Sequence, residues 1–372
     1  MPPKPRSARS ERPVTDLQPL HATASGTARY QKRFESLFRP DHFREAFGIH
    51  VSSIGIGTYL GDSTDEVDAA YRTAVQSAIE SGINVLDTAI NYRCQRSERA
   101  CGSAIRQAVA AGRIHRDELV VCSKAGYVPL DTVPPDSRES YQAYVKREFL
   151  DTEIIRRDEL VAGGHCFGSR FLRFCLAKSR QNLGLRTIDV YYLHNPEQQA
   201  AALGHETFLT RVREAFAALE ESASRGEIGA YGCATWDGLR TPRGAKGHIE
   251  LEMLVAVARE IAGDQHHFRA VQLPINLAMP EAVREPTQSV DGRSVTAVDA
   301  AAALGLVVVA SATLMQSRLA SNLPPALAEH FPALSTDAQR ALAFTRSLPG
   351  VATALVGMKR VDHVEENLAA AR

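Results

Sequence analysis

From residue 51 onward the chain alternates two textures. Short runs of consecutive apolar residues, at 53–57, 83–87, 119–124, 188–194, 228–234, 270–273, 306–310 and 352–356, have the length and β-branched content of strands buried on both faces. After each run, apolar residues recur at helical spacing, over 65–81, 97–111, 169–183, 208–225, 249–262, 295–304, 337–347 and 361–370. Eight buried strands, each followed by a helix, call for a parallel sheet covered on both sides. The economical closure is a single-domain (β/α)8 TIM barrel over residues 41–372. An open doubly wound sheet is the competitor, but the first strand–helix turn, GIGTYLGDST, lacks the GxGxxG that would support it.

Two segments break the alternation. Residues 1–40 hold eight basic residues against three acidic, with five prolines before Leu20 and no apolar run. Such a stretch cannot bury enough surface to fold alone and is expected to be a disordered tail. An organelle-targeting reading suits its Arg and Ser content, but the early acidic residues count against it. The second break follows the third strand, where more than 40 residues separate Lys124 from the next helix, far beyond an ordinary strand–helix loop. This loop, 125–168, carries a helical stretch at 141–155 and the sequence GGHCFG. It is expected on the active-site face, as a lid or pocket wall, with a subunit contact as the alternative.

Composition narrows the function classes. Basic and acidic residues balance at 43 each, so no global field draws the protein to nucleic acid or a membrane. The longest uncharged apolar stretch, 300–315, is too short to span a bilayer. Six cysteines without CxxC spacing read as reduced thiols, which fits a cytoplasmic location. His165 and Cys166 are adjacent metal-ligand types without spaced partners, so no metal is assigned. His266 and His267 precede a strand and belong to the opposite barrel face, as surface residues.

In a barrel the C-terminal ends of the strands line the reaction site. The first strand ends in Gly57, Thr58 and Tyr59; the second in Asp87, with Tyr92 on its loop; the third in Lys124; the fourth in His194. Taken singly each has a bland reading: a helix cap, a rim aromatic, a solvated cation, a satisfied histidine. Their convergence at consecutive strand ends is what points to chemistry.

These segments, GINVLDTAINY, SERACGSAI, VVCSK and IDVYYLHNPE, together with RGEIGAYGCATW, AVQLPINL and VGMKRVDHVEENLAAA, are similar in order and kind to those of the aldo-keto reductase family. The resemblance implies a barrel that binds a nicotinamide cofactor and carries an Asp87, Tyr92, Lys124, His194 tetrad. Reducing a carbonyl takes a hydride on one side and a proton for the developing alkoxide on the other. Tyr92 would give that proton, with Lys124 favouring its phenolate, Asp87 holding Lys124, and His194 donating a hydrogen bond to the carbonyl oxygen. By the same resemblance Thr58 and Tyr59 lie near the pyrophosphate and ribose, and Gln272 meets the carboxamide. Gly357, Lys359, Arg360, Glu366 and Asn367 hold the adenosine end. Lys359 and Arg360 open the last helix, which leans toward NADP(H) over NAD(H), although His363 stands where many members carry a phosphate-binding Arg. Two departures stand out. Ala234 and Thr235 replace the usual Ser and Asn, and Ser311 takes the place of an aromatic ring that stacks on the nicotinamide.

The expected activity is reduction of an aldehyde, ketone or sugar carbonyl, or oxidation of the alcohol. A redox-sensing regulatory subunit is the alternative from another class. A barrel isomerase or lyase would need a phosphate-binding Gly-rich turn or late-strand metal ligands, and neither is present in the sequence.

Overall fold

The computed structural model describes residues 21–372. Eight parallel strands close into a barrel in sequence order: β1 (Ile54–Gly57), β2 (Val85–Asp87), β3 (Val120–Ala125), β4 (Ile188–His194), β5 (Ile228–Ala234), β6 (Phe268–Pro274), β7 (Val307–Ser311) and β8 (Val351–Gly357). β8 pairs back onto β1 through Val356↔Ile56 and Gly57↔Gly357, which completes the ring. Each strand matches one of the eight runs expected from the sequence. The helices that follow lie within a few residues of the expected spans, among them Asp65–Ile79, Arg96–Ala110, Ser169–Leu183 and Asp337–Ser347.

The strands read as continuously apolar because both of their faces are buried, yet the period-two rule still sorts their residues. Ile56, Leu86, Val121, Leu193 and Leu273 point outward into the large core shared with the helices. Val85, Val120, Cys122, Val190, Tyr192, Ala270, Val309 and Leu355 point inward and fill the barrel. Counting on by two from these inward residues reaches Asp87, Lys124, His194, Gln272, Ser311 and Gly357. The residues at the upper mouth are therefore fixed by the same alternation that fills the core.

The lower end is closed by an antiparallel hairpin, Phe43–Ala46 with Ile49–Ser52. Its turn, Phe47–Gly48, has positive φ at both residues (56° and 70°), the geometry that suits a two-residue hairpin. Ala46 and Val51 join the interior cluster and stopper the barrel.

The tail expectation is corrected for residues 24–34, while residues 1–20 lie outside the described residues. Ala24–Phe34 is a helix, capped by Thr23, whose side chain accepts from the Gly26 amide. Its buried stripe is narrow, using Gly26, Thr27, Tyr30 and Phe34, and so was hidden in a basic, polar window. Gly26 is there for close approach, since a Cβ would sit 2.2 Å from the Asp117 carbonyl oxygen. The basic residues that suggested disorder are partnered. Arg29 and Arg33 donate to the buried Glu118 carboxylate at 2.9 and 2.7 Å. Tyr30 is fully buried, packs on Phe34 and Phe43, and donates its hydroxyl to the Ile79 carbonyl at 2.7 Å.

The long loop is also ordered. A helix at Arg138–Val145 runs on into a wider turn at Lys146–Leu150, so the helical piece starts and stops earlier than 141–155. Phe149 buries itself against Phe171 and Phe174, which pins this turn to the helix Ser169–Leu183. His266, expected at the surface, is 4% exposed at the barrel's lower end beside a cavity of about 430 Å³, whereas His267 bonds Glu220 at 2.7 Å. The length of β6 explains the difference, because the strand begins at Phe268 and draws His266 inward.

Tyr30→Ala is expected to cost about 3–5 kcal/mol, because it removes a fully buried ring and leaves the Ile79 carbonyl unpaired. Chemical denaturation measures this; an unchanged midpoint would mean that residues 24–34 contribute nothing to the fold.

Candidate active site

The upper mouth of the barrel opens into a cavity of about 540 Å³. Gly57, Thr58 and Tyr59 from the end of β1, Asp87 and Tyr92 from the β2 end and loop, and His194 from β4 all line it. Thr235, Gln272, Ser311 and Gly357 complete the wall on the far side of the ring of strands. Lys124 lies beneath this floor, fully buried.

The register of the sheet brings the charged pair together. Asp87 sits opposite Cys122 across the β2–β3 pairing, and Lys124 is two residues further along the same face. The Lys124 ammonium donates to the Asp87 carboxylate and to the Thr88 carbonyl at 2.8 Å. Asp87 accepts a second bond, at 2.8 Å, from the Gln272 side-chain amide. Its main-chain carbonyl is held by the Thr58 hydroxyl at 3.2 Å. With these partners the lysine stays charged despite its burial. Desolvation is the largest single effect and pulls its pKa down, but the Asp87 carboxylate together with the neighbouring Tyr92 and Cys122 outweighs it and the net shift is upward.

Tyr92 stands above this pair, its ring centroid 5.0 Å from the Lys124 ammonium. Tyr59 and His194 meet the same ring edge-on at 5.0 and 5.7 Å. Lys124 was expected to favour the phenolate. It does pull in that direction, but burial of the phenol is the larger effect and raises the Tyr92 pKa above its usual value. The phenol is therefore protonated at neutral pH. His194 is driven well below 6.5 by burial and by the Lys124 charge, so its imidazole is neutral.

The ends of β5 and β7 carry the residues at which the sequence departs from the family pattern. The Thr235 hydroxyl is buried at the cavity wall and has no hydrogen-bond partner among the described residues. It fits a ligand amide that would satisfy it, with Gln272 alongside. No aromatic ring sits at Ser311. The loop after it runs through three consecutive left-handed residues, Met315, Gln316 and Ser317 (φ 47°, 53° and 70°), of which the last two face the cavity. Lys359, Arg360, Glu366 and Asn367 lie outside the cavity wall, on the turn and helix that follow Gly357. Asn367 is buried and its side-chain oxygen lacks a partner among the described residues, an acceptor suited to a base amino group. Arg360 is exposed and its guanidinium is engaged by Asp362. The residues present thus fit a nicotinamide dinucleotide at the amide and base ends, with the phosphate end partly neutralised.

The structure also places residues that the sequence reading passed over. Tyr127, Asn195 and Trp236 line the cavity, each one to three residues beyond a strand-end residue already singled out. Only Tyr127 comes from the long loop, so this insertion builds one patch of wall and does not roof the cavity. The nearby His165 is buried and its Nε2–H donates to the His194 carbonyl at 2.8 Å. Among the described residues no cluster of three or more ligand-type side chains could hold a metal, and no helix is long and apolar enough to cross a membrane.

Comparison with known proteins agrees with this architecture. A D-threo-aldose 1-dehydrogenase from a Pseudomonas species is 28% identical over 193 residues, 50% of this chain and 51% of that one. An NADH-specific methylglyoxal reductase from Escherichia coli (strain K12) is 27% identical over 194 residues, 51% of this chain and 50% of that one. The chain thus spans about half the length of these curated relatives. Among solved structures, an aldo/keto reductase from Klebsiella pneumoniae in complex with NADP and acetate superposes with a TM-score of 0.58 at 20% identity, covering 89% of each chain. The holo form of an aldo-keto reductase from Bacillus halodurans gives 0.57 at 19% identity, over 88% of this chain and 90% of that one. At such identities these two speak for the fold alone. The aldo/keto reductase family model matches residues 53–257, more than half of the sequence, and the chain belongs to that family.

Proposed function

We propose that the protein is a nicotinamide-dependent oxidoreductase that reduces an aldehyde, ketone or sugar carbonyl, or oxidises the corresponding alcohol. The observation that carries this reading is geometric: a phenol ring 5.0 Å from a buried ammonium that is itself paired with a carboxylate. A bound reduced nicotinamide supplies the hydride. Tyr92 gives its hydroxyl proton to the carbonyl oxygen as charge develops there, and the phenolate left behind is stabilised by Lys124 until water restores the proton. Asp87 keeps Lys124 charged and aimed. His194, neutral, orients the carbonyl oxygen by hydrogen bonding rather than by carrying charge.

NADP(H) is the proposed cofactor on the strength of Lys359 and Arg360, and Asp362 limits how far that preference extends. The relatives named for an aldose and for methylglyoxal are compatible with a small oxygenated carbonyl substrate. They do not choose between the two.

Tyr92→Phe is expected to lower turnover by about 100-fold or more, the scale of a lost general acid, while NADPH binding followed by fluorescence is retained. Turnover like that of the unsubstituted protein would remove Tyr92 from the role. Because the Tyr92 pKa is raised and that of His194 depressed, the reduction rate is expected to stay level from about pH 6 to 9 and to fall only as Tyr92 ionises above its ordinary value near 10. A fall in rate as pH rises through about 6.5 would show instead that a protonated histidine matters. Titrations of NADPH and NADH are expected to give tighter binding of NADPH; equal affinity would defeat the phosphate assignment. Binding of cofactor without turnover across a broad carbonyl panel would point to the regulatory reading.

A further inference from the structure

We propose that the Tyr127 hydroxyl is a second oxygen-binding group of the cavity, and that the substrate accordingly carries another oxygen within a few atoms of the reacting carbonyl: a hydroxyaldehyde, a sugar or a dicarbonyl. This rests on the oxidoreductase reading and narrows it.

Tyr127 and Tyr92 share a neighbour. The Tyr127 ring meets the His194 imidazole edge-on at 5.2 Å, and Tyr92 meets the same imidazole at 5.7 Å. Both phenols line one cavity. The Tyr127 hydroxyl accepts a hydrogen bond from the Asn195 side-chain amide at 2.9 Å, and among the described residues this is its only hydrogen bond. Its own proton is left to donate, and the accepted bond polarises it for that purpose. Burial raises the Tyr127 pKa, so the proton is present at neutral pH.

The geometry is held in place from behind. Tyr127 pairs with His165 across an isolated antiparallel bridge, and the two rings touch edge-on at 5.0 Å. His165 donates to the His194 carbonyl and receives bonds from the Gln199 amide at its ring (3.3 Å) and at its carbonyl (3.0 Å). Gln199 is gripped in turn by Arg211 at 2.5 Å. Asn195 is fixed in the left-handed region at φ 50°, with its main-chain N–H donating to the Ala234 carbonyl at 2.6 Å. A backbone held in that region by its surroundings aims its side chain reproducibly. The long insertion, which has no other residue in the cavity wall, thus delivers one hydroxyl donor and locks it beside His194.

The competing explanation is that Tyr127 is packing. A phenylalanine would fill the same space, and the hydroxyl would then be incidental. The two readings separate on substrate choice. A plain alkanal leaves the Tyr127 donor without a partner, whereas an oxygenated carbonyl satisfies it, and a site built to bond an oxygen discriminates by that difference.

The experiment compares the full chain with Tyr127→Phe, following NADPH oxidation with glyceraldehyde, methylglyoxal and butanal. The expected result is a rise in KM of about five- to tenfold for glyceraldehyde and methylglyoxal, the scale of one neutral hydrogen bond. Butanal should lose clearly less than either oxygenated carbonyl, and the thermal midpoint should be unchanged. An equal change for all three carbonyls, or none for any, overturns the assignment. A wild-type protein that turns over no carbonyl at all overturns the oxidoreductase reading itself, and this assignment with it.

Discussion

The structure depends on one ion pair in a place where charge is costly. Lys124 and Asp87 are both buried inside the barrel, where removing either partner would strand an uncompensated charge at a cost of about 3–5 kcal/mol. The barrel tolerates the pair because each side has further partners: the Thr88 carbonyl for the ammonium, the Gln272 amide for the carboxylate, and the Thr58 hydroxyl for the Asp87 main chain. Those partners come from the ends of β1, β2 and β6. The pair therefore ties distant strands to the phenol above it, and any shift of register in this part of the sheet would be felt at Tyr92.

Much of this could be read from the sequence because a barrel strand has little freedom. Once eight apolar runs are aligned, alternation decides which side chain at each strand end faces inward, and Asp87, Lys124, His194 and Gln272 follow without knowledge of loops. What escaped was set by contacts between segments far apart in the chain. The helix Ala24–Phe34 buries only a thin stripe and neutralises its arginines on Glu118, about ninety residues away, so its own composition looks like that of an unfolded segment. His266 looked exposed because it precedes a strand at the opposite barrel face, but β6 begins close enough to draw it under the barrel. Tyr127 and Asn195 had no local signal beyond standing just past strand ends. The balance at Tyr92 was also out of reach, because a nearby cation is visible in sequence whereas the extent of burial that opposes it is not.

The long loop after β3 is held by contacts on both of its sides. Its aromatic residues anchor it to the outer helix, its backbone folds back on Tyr127, and His165 reaches through to the carbonyl of His194. It thus works as a buttress for the β4 end. It touches the cavity wall through Tyr127 alone, while the charged pair below is held by other elements.

The hairpin that stoppers the barrel decides from which side the cavity can be reached. With Ala46 and Val51 closing the lower end and Cys122, Tyr192 and Leu355 filling the shaft, the described residues leave no open passage from one end of the barrel to the other. A plug on the far side of the protein thus sets the direction of approach to the upper mouth.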